Sequence, residues 1–228
     1  MQLFFVPELS ERIVMEGDEA GHLIRVLRKQ KGDIIQITDG KGKGFNAEIT
    51  LVGKKEAELV LKNEIIRDYE LKTSVHLAVA PTKNNERFEW MIEKATEMGV
   101  AEITPIICER SERKNCNLER LQKTALAAMK QCGRFVLPKI NDAVRLKDFS
   151  FRNSLNLVAH CENQMKKELT EIDTADSVCI FIGPEGDFSP VEIEFLFSQK
   201  SVPVSLGESR LRTETAAVYA MSFFRFRG

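Results

Sequence analysis

Long apolar runs are missing from this 228-residue chain. None approaches the roughly 20 residues that cross a bilayer, so no membrane-spanning helix is expected. The opening segment MQLFFVPELSER shows neither a basic leader nor a small-residue cleavage pattern, and a cytoplasmic location is the expectation. Cysteines are few and poorly arranged for bridging. Cys108, Cys116, Cys132, Cys161 and Cys179 are odd in number and include no C-x-x-C pair, which suits reduced, mostly buried thiols. His160 beside Cys161 has no second ligand pair at zinc-site spacing, so no metal is expected. Excess charge is lacking as well: 33 Lys+Arg against 34 Asp+Glu leave a formal net charge of -1. Any polyanion must therefore be met by local patches instead of a global field.

What is present is ordinary globular material. A hydrophobic share of 43% and a charged share of 29% lie close to the norm of roughly 45–50% and 25%, which excludes extended disorder. The length allows one large domain or two small ones.

The first 70 or so residues alternate in period two. Ile35 and Ile37, then Ala47, Ile49 and Leu51, are spaced as half-buried strands, and DGKGKG between them reads as a glycine-rich hairpin. GDEAGHLIRVLRKQKGD breaks this rhythm, with Leu23, Val26 and Leu27 at helical spacing and Gly32 placed to close the turn. A small β-barrel with one short helix is expected, and the domain boundary is set after residue 71 without any proline- or glycine-rich linker.

From SVHLAVA onward, strands alternate with helices. Phe88, Met91, Ile92, Ala95 and Met98 form one apolar helix face, with Asn84 or Asn85 as cap and Gly99 at the C-terminal turn. A second helix starts at Asn117, carries Leu118, Leu121, Ala125 and Met129, and ends at Gly133. EITPIIC, LNLVAHCE, SVCIFIG and VPVSLG are further strand candidates. Several are apolar on both faces, which predicts an α/β domain with a mainly parallel sheet over 72–228.

Two loops in this half carry chemistry. IGPEGDFSPVE leaves a strand and enters a helix whose Ser189, Pro190 and Glu192 stand at N-cap, N1 and N3 of a capping box. It thus lies where open α/β sheets bind ligands. Glu185 and Asp187 sit where a triphosphate would bring more negative charge, and the phosphate-cradle glycine spacings are missing, so nucleoside triphosphates are excluded. A ligand with a cationic part fits, as does a plain turn with solvated acids. SLGESRLRTETAA repeats the arrangement, with Thr213 as the expected cap and Glu214 in the first turn. Basic residues gather in three further places: Arg25, Arg28, Lys29 and Lys31; Lys41 and Lys43; and Arg110, Arg113 and Lys114. Such clusters suit phosphate backbones, with a solvated face as the alternative.

In order along the chain, HLIRVLRKQKGD, ERFEWMIEKATEMGVAEITPIICERSE, QCGRFVLPKI, IGPEGDFSPVE and LGESRLRTETA resemble the ribosomal RNA methyltransferase family RsmE, of the knotted SPOUT superfamily. The resemblance covers almost the whole chain. It implies a PUA-like β-barrel over 1–71 and an α/β domain with a deep trefoil knot over 72–228, a feature no spacing could reveal. It also implies a homodimer, S-adenosylmethionine as methyl donor, and methylation of N3 of a uridine equivalent to U1498 in 16S rRNA on the small ribosomal subunit. Carried over by position, the cofactor pocket should use Ala159, His160, Gly183, Pro184, Glu185, Gly186, Leu206, Gly207, Leu211, Arg212 and Thr213. Arg212 should hold the uracil, with Glu214 orienting Arg212. RNA affinity should come from His22, Arg25, Arg28, Lys41, Lys43, Arg110 and Arg113. The chain departs from the family pattern at Asp187, where glycine is usual, and at Ser209 and Arg210, where the arginine is displaced by one position. Two rivals remain: a methyltransferase of this fold with another RNA target, and a non-catalytic RNA-binding assembly factor.

Overall fold

A computed structural model describes residues 2–67, 70–162, 165–173 and 175–227. The chain forms two compact units, Met1–Tyr69 with Met129–Leu137, and Glu70–Ala128 with Pro138–Gly228. The division expected after residue 71 thus falls after residue 69, and the QCGRFVL segment joins the first unit.

In the first unit, β1 (Leu3–Phe5), β2 (Arg12–Met15), β3 (Ile34–Thr38), β4 (Gly44–Val52) and β5 (Ala57–Glu64) form one sheet in the order β1-β3-β4-β5-β2. Only β1 and β3 run parallel. Ile35, Ile37, Ala47 and Ile49 are buried as their alternation predicts, packed with Phe4, Met15, Leu23 and Leu59. Leu51 departs from its expected burial and is 46% exposed. The cause is a bulge: Ile49 pairs with Leu59 but Leu51 pairs with Glu58, so the extra residue turns Leu51 to the outer face. The helical segment differs too. After α1 (Gly17–Gly21) the chain widens into a π-helical turn over His22–Val26, which turns Val26 outward to 64% exposure while Leu23 stays buried. Arg28, with φ 51°, takes the left-handed position after that turn, a role the sequence pattern had given to Gly32.

The second unit holds β6 (Ser74–Val79), β7 (Glu102–Ile107), β8 (Lys139–Ile140), β9 (Val144–Arg145), β10 (Leu155–Ala159), β11 (Lys167–Glu168), β12 (Ser177–Ile182) and β13 (Val202–Ser205). Its sheet runs β11-β13-β10-β12-β6-β7-β8, with β9 also on β7, and every pairing is parallel. Burial on both faces explains why β12 reads as a near-continuous apolar run and why β6 does so apart from His76.

Helices α2 (Asn85–Met98), α3 (Leu118–Cys132), α4 (Pro190–Ser198) and α5 (Thr213–Arg227) complete the chain. The Asn84 side chain accepts from the Glu86 N–H at 2.8 Å, and Gly99 closes α2 at φ 94°. The Asn117 side chain accepts from the Arg120 N–H at 3.0 Å at the start of α3, and Gly133 follows at φ 74°. Residues 129–132, the last turn of α3, belong to the first unit. The capping box of Ser189 and Glu192 forms as its spacing predicts.

Candidate functional site

Three neighbouring parallel strands, β13, β10 and β12, end at Ser205, Ala159 and Ile182. The loops that leave them enclose a cavity of about 440 Å³, within the roughly 300–1,000 Å³ typical of ligand pockets. Apolar surface comes from Ile182, Val204, Leu206, Leu211 and Ala216. Charge of both signs comes from Lys166, Arg210 and Arg212 and from Glu185, Asp187 and Glu208. Such a lining matches a ligand with a flat apolar part and a zwitterionic part.

Of the residues expected at a cofactor pocket, Ala159, His160, Gly183, Pro184, Glu185, Leu206, Gly207, Leu211, Arg212 and Thr213 line this cavity. Gly186 does not. Its carbonyl faces Arg110 instead, accepting from Nη1 at 3.0 Å, while the Phe188 carbonyl accepts from the same nitrogen at 3.2 Å. Arg110, expected to bind RNA, therefore braces the β12–α4 loop.

Gly183 leaves little room for a side chain. A Cβ there would lie 3.1 Å from the Phe188 ring and 3.2 Å from the Phe188 backbone nitrogen, so Phe188 would have to shift by a few tenths of an ångström. The loop is held from several sides. Its Gly183 carbonyl accepts from the Thr213 hydroxyl at 3.0 Å, and its Glu185 carbonyl accepts from Arg210 Nη2 at 3.0 Å. The Glu185 carboxylate accepts from the Lys83 N–H at 3.0 Å. Thr213 is accordingly not the helix cap that was expected. Arg212 takes the position before the helix, its carbonyl accepting from the Ala216 N–H at 2.8 Å.

Asp187, missed as a site residue, links two of the loops. Its φ of 63° lies in the left-handed region, where glycine is the default and Asp and Asn are the tolerated alternatives. Oδ2 accepts from the Cys161 N–H at 2.8 Å, and Oδ1 accepts from its neighbour's N–H at Phe188 at 2.9 Å. The departure from glycine thus keeps the backbone shape and adds a tie between the β10 and β12 loops. Burial and the Asp187 carboxylate raise the Cys161 thiol above its ordinary pKa, which disfavours a nucleophilic thiolate.

His160 is 7% exposed, and neither ring nitrogen has a hydrogen-bond partner among the described residues. Burial, then nearby Lys166, lower its pKa, outweighing Asp187 and Glu162. A neutral imidazole offering one donor and one acceptor at a cavity wall suits a polar ligand group. Lys166 also donates to the His160 carbonyl at 2.6 Å.

Glu214 lies elsewhere. It is 7% exposed, and its partner is Arg87 of α2, with Nη1 3.8 Å from Oε1. No hydrogen bond or ion pair joins Glu214 to Arg212 among the described residues. Arg212 itself is exposed at the cavity edge.

Among the expected RNA contacts, Arg25, Arg28, Lys41 and Lys43 are exposed in the first unit. The Asp39 side chain accepts from the Lys41 and Lys43 N–H groups at 2.7 and 3.1 Å, which shapes the hairpin tip. His22 is half-buried against Phe4, and the Gln2 amide donates to its Nε2 at 2.6 Å. Arg113 borders a depression with Arg120 beside the start of α3. No cluster of three or more metal-ligating side chains occurs among the described residues, and no helix is long and apolar enough to cross a membrane.

A parallel α/β domain with a ligand-sized cavity at its strand ends, together with a small β domain bearing basic loops, defines a two-domain class of ligand-dependent protein. Comparisons with known proteins narrow it. Residues 69–225 match the RNA methyltransferase domain, and residues 16–62 match the RNA methyltransferase PUA domain. Ribosomal RNA small subunit methyltransferase E of Rickettsia conorii is 31% identical, with 96% of this chain and 91% of that protein covered. A solved chain from Porphyromonas gingivalis, described as a probable rRNA-methyltransferase, is 38% identical with a TM-score of 0.89, covering 97% and 96%. The ribosomal RNA small subunit methyltransferase E of Neisseria gonorrhoeae, solved bound to S-adenosyl methionine, is 29% identical with a TM-score of 0.87, covering 97% and 95%. The chain belongs to the ribosomal RNA small subunit methyltransferase E family.

Proposed function

We propose that this protein transfers a methyl group from S-adenosylmethionine to N3 of a uridine in 16S rRNA of the small ribosomal subunit. The observation that carries the reading is the cavity at the ends of β10, β12 and β13, whose apolar walls, mixed charges and unpartnered His160 fit that cofactor. Bound there, S-adenosylmethionine supplies an electrophilic methyl on a sulfonium. The chain's own part is to bind, orient and exclude water. Apolar side chains such as Ile182, Leu206 and Leu211 would hold its flat ring. Lys166, Arg210 and the acids of the β12 loop would hold its zwitterionic end.

Uridine N3 carries a proton at neutral pH and is used in base pairing, so the target has to be unpaired and to lose that proton. Arg212, exposed at the cavity edge, holds the uracil and the negative charge that develops on it. Glu214 acts at one remove: paired with Arg87, it fixes the first turn of α5 and so the position of Arg212. Placing N3 in line with the methyl can remove roughly 7–11 kcal/mol of barrier. Basic residues of the first unit, Arg25, Arg28, Lys41 and Lys43, hold phosphates, with His22 beside them; Arg113 adds to this from the second unit.

The same reading includes a trefoil knot, a closed N-terminal barrel and a homodimer. The knot is supported by the path of the last segment. β13 pairs on the far side of β10, yet α5 packs on α2, β6 and β12, with Thr213 and Arg210 bonded to carbonyls of the β12 loop. Dimerisation through α2 and α5 is supported by the exposed Trp90, Tyr219 and Phe226. The test is labelled methyl transfer to intact small subunits and to naked rRNA, with the mark located by mass spectrometry. N3-methyluridine on the subunit is expected. Another modified base would point to a different RNA target, and absence of heat on titrating S-adenosylmethionine would point to a binding module.

A further inference from the structure

We infer that a second cavity, on the same edge of the parallel sheet, seats an unpaired nucleotide of the RNA next to the one that is methylated; this rests on the proposed function. The cavity is about 550 Å³ and lies at the carboxyl ends of β7 and β9, where Ile107 and Arg145 are register partners. The first cavity opens at the carboxyl ends of β10, β12 and β13, and the β12–α4 segment borders both, through Asp187 on one side and Ser189 on the other. Carboxyl ends of parallel strands are where such sheets bind ligands.

Its lining has the two halves of a nucleotide's chemistry. Leu146, Val191 and Phe195 give an apolar floor, and Val191 is left 71% exposed in the first turn of α4. Lys114, Arg145 and Lys147 are exposed cations at its border. No hydrogen bond or ion pair engages their charged groups among the described residues. In the same unit Lys83, Lys94, Arg120, Lys123 and Lys139 each hold an acid. Three uncommitted cations thus border one apolar cavity.

The lining's two acids, Glu109 and Glu192, leave one positive charge in excess, and the Glu192 carboxylate is held off the border by accepting from the Glu109 N–H at 2.8 Å and the Ser189 N–H at 2.9 Å. Glu109 is the one acid of the lining whose carboxylate takes no such bond. An unstacked base presents an apolar face and its phosphate a single negative charge, which are the groups this lining complements. An acidic peptide would use the border and leave the floor idle.

Val191→Asp is the most selective probe. The side chain is exposed, and an acid in the first helical turn is favoured by the helix dipole, so the fold is preserved. Methylation of unmodified small subunits is followed at saturating cofactor, with S-adenosylmethionine affinity measured by calorimetry. In parallel, anisotropy reads binding of a labelled single-stranded RNA copying the target segment, and of the same strand with an abasic residue beside the target uridine. The expected result is an approximately tenfold rise in KM for subunits, with kcat and cofactor affinity within twofold. Binding of the intact strand falls by about as much, while the already weaker abasic strand is unaffected. Wild-type KM and wild-type binding of the intact strand would overturn the inference, as would equal losses for both strands. If the wild-type protein methylates no subunit at all, the proposed function fails first; if it does and Val191→Asp matches it, only the second site fails.

Discussion

Asp187→Gly separates what a residue does for the backbone from what it does for the site. Glycine accepts the φ of 63° at no steric cost, so the loop keeps its shape and only the carboxylate is lost. Two hydrogen bonds go with it, and the one to Cys161 at 2.8 Å is the tie between the β10 and β12 loops. A hydrogen bond to a charged group contributes about 1.5–3 kcal/mol. This one is solvent-exposed, so about 1 kcal/mol is a fairer figure for the tie. The relief of a non-glycine residue from the left-handed region is worth about 1 kcal/mol in the opposite sense. Stability of the ligand-free protein should therefore change by less than about 1 kcal/mol. Cofactor affinity has no such offset, because Cys161 and His160 border the cavity from a loop that must now be ordered on binding. At about 1.4 kcal/mol per tenfold, a fivefold to tenfold weaker S-adenosylmethionine dissociation constant is expected by calorimetry. Asp187→Asn, which tolerates the same φ and keeps one acceptor oxygen, should recover most of it. Wild-type affinity in Asp187→Gly would refute the reasoning.

Further outcomes follow from the same geometry. Arg212→Ala should lower kcat by at least a hundredfold with cofactor affinity within a few-fold, measured by single-turnover methyl transfer; activity within a few-fold of wild type would remove Arg212 from the chemistry. Charge reversal of Arg25 and Arg28 should raise KM for subunits and flatten its salt dependence while leaving cofactor binding alone; loss of both would indicate misfolding. Stability should decline as pH falls. Burial lowers the pKa of His76, outweighing Glu102 and the Asn153 hydrogen bond, while Lys139 and Arg152 add to the lowering. Between that lowered value and 6.5 the unfolded chain binds more protons, so stability rises with pH across this window. Thermal unfolding at pH 5.5 and 7.5 should show the loss, and His76→Gln should reduce it.

The helices were largely legible in the sequence because their signals are local. Asn84, Gly99, Asn117, Gly133, Ser189 and Glu192 do what their spacing says. The misreadings have local causes that spacing does not carry. One extra residue at Thr50 turns Leu51 outward, and a π-helical turn does the same to Val26. Long-range pairing was less accessible. Nothing near Thr213 in the sequence says that its hydroxyl answers Gly183, 30 residues away, or that Glu214 pairs with Arg87. The site loops were found because glycine, proline and charge cluster at strand ends. Asp187 was noticed as a departure from the family pattern, but its purpose emerged only with its φ and its bond to Cys161. The second cavity left no sequence signature, since Lys114, Arg145 and Lys147 become neighbours only when β9 pairs with β7.

The central claim is tested most directly by incubating purified protein with unmethylated small ribosomal subunits and labelled S-adenosylmethionine, then locating the label by mass spectrometry. The account predicts one methyl per subunit, at N3 of a single uridine of 16S rRNA, with Arg212→Ala inactive in the same assay. Label on another base, or none despite measurable cofactor binding, would contradict it.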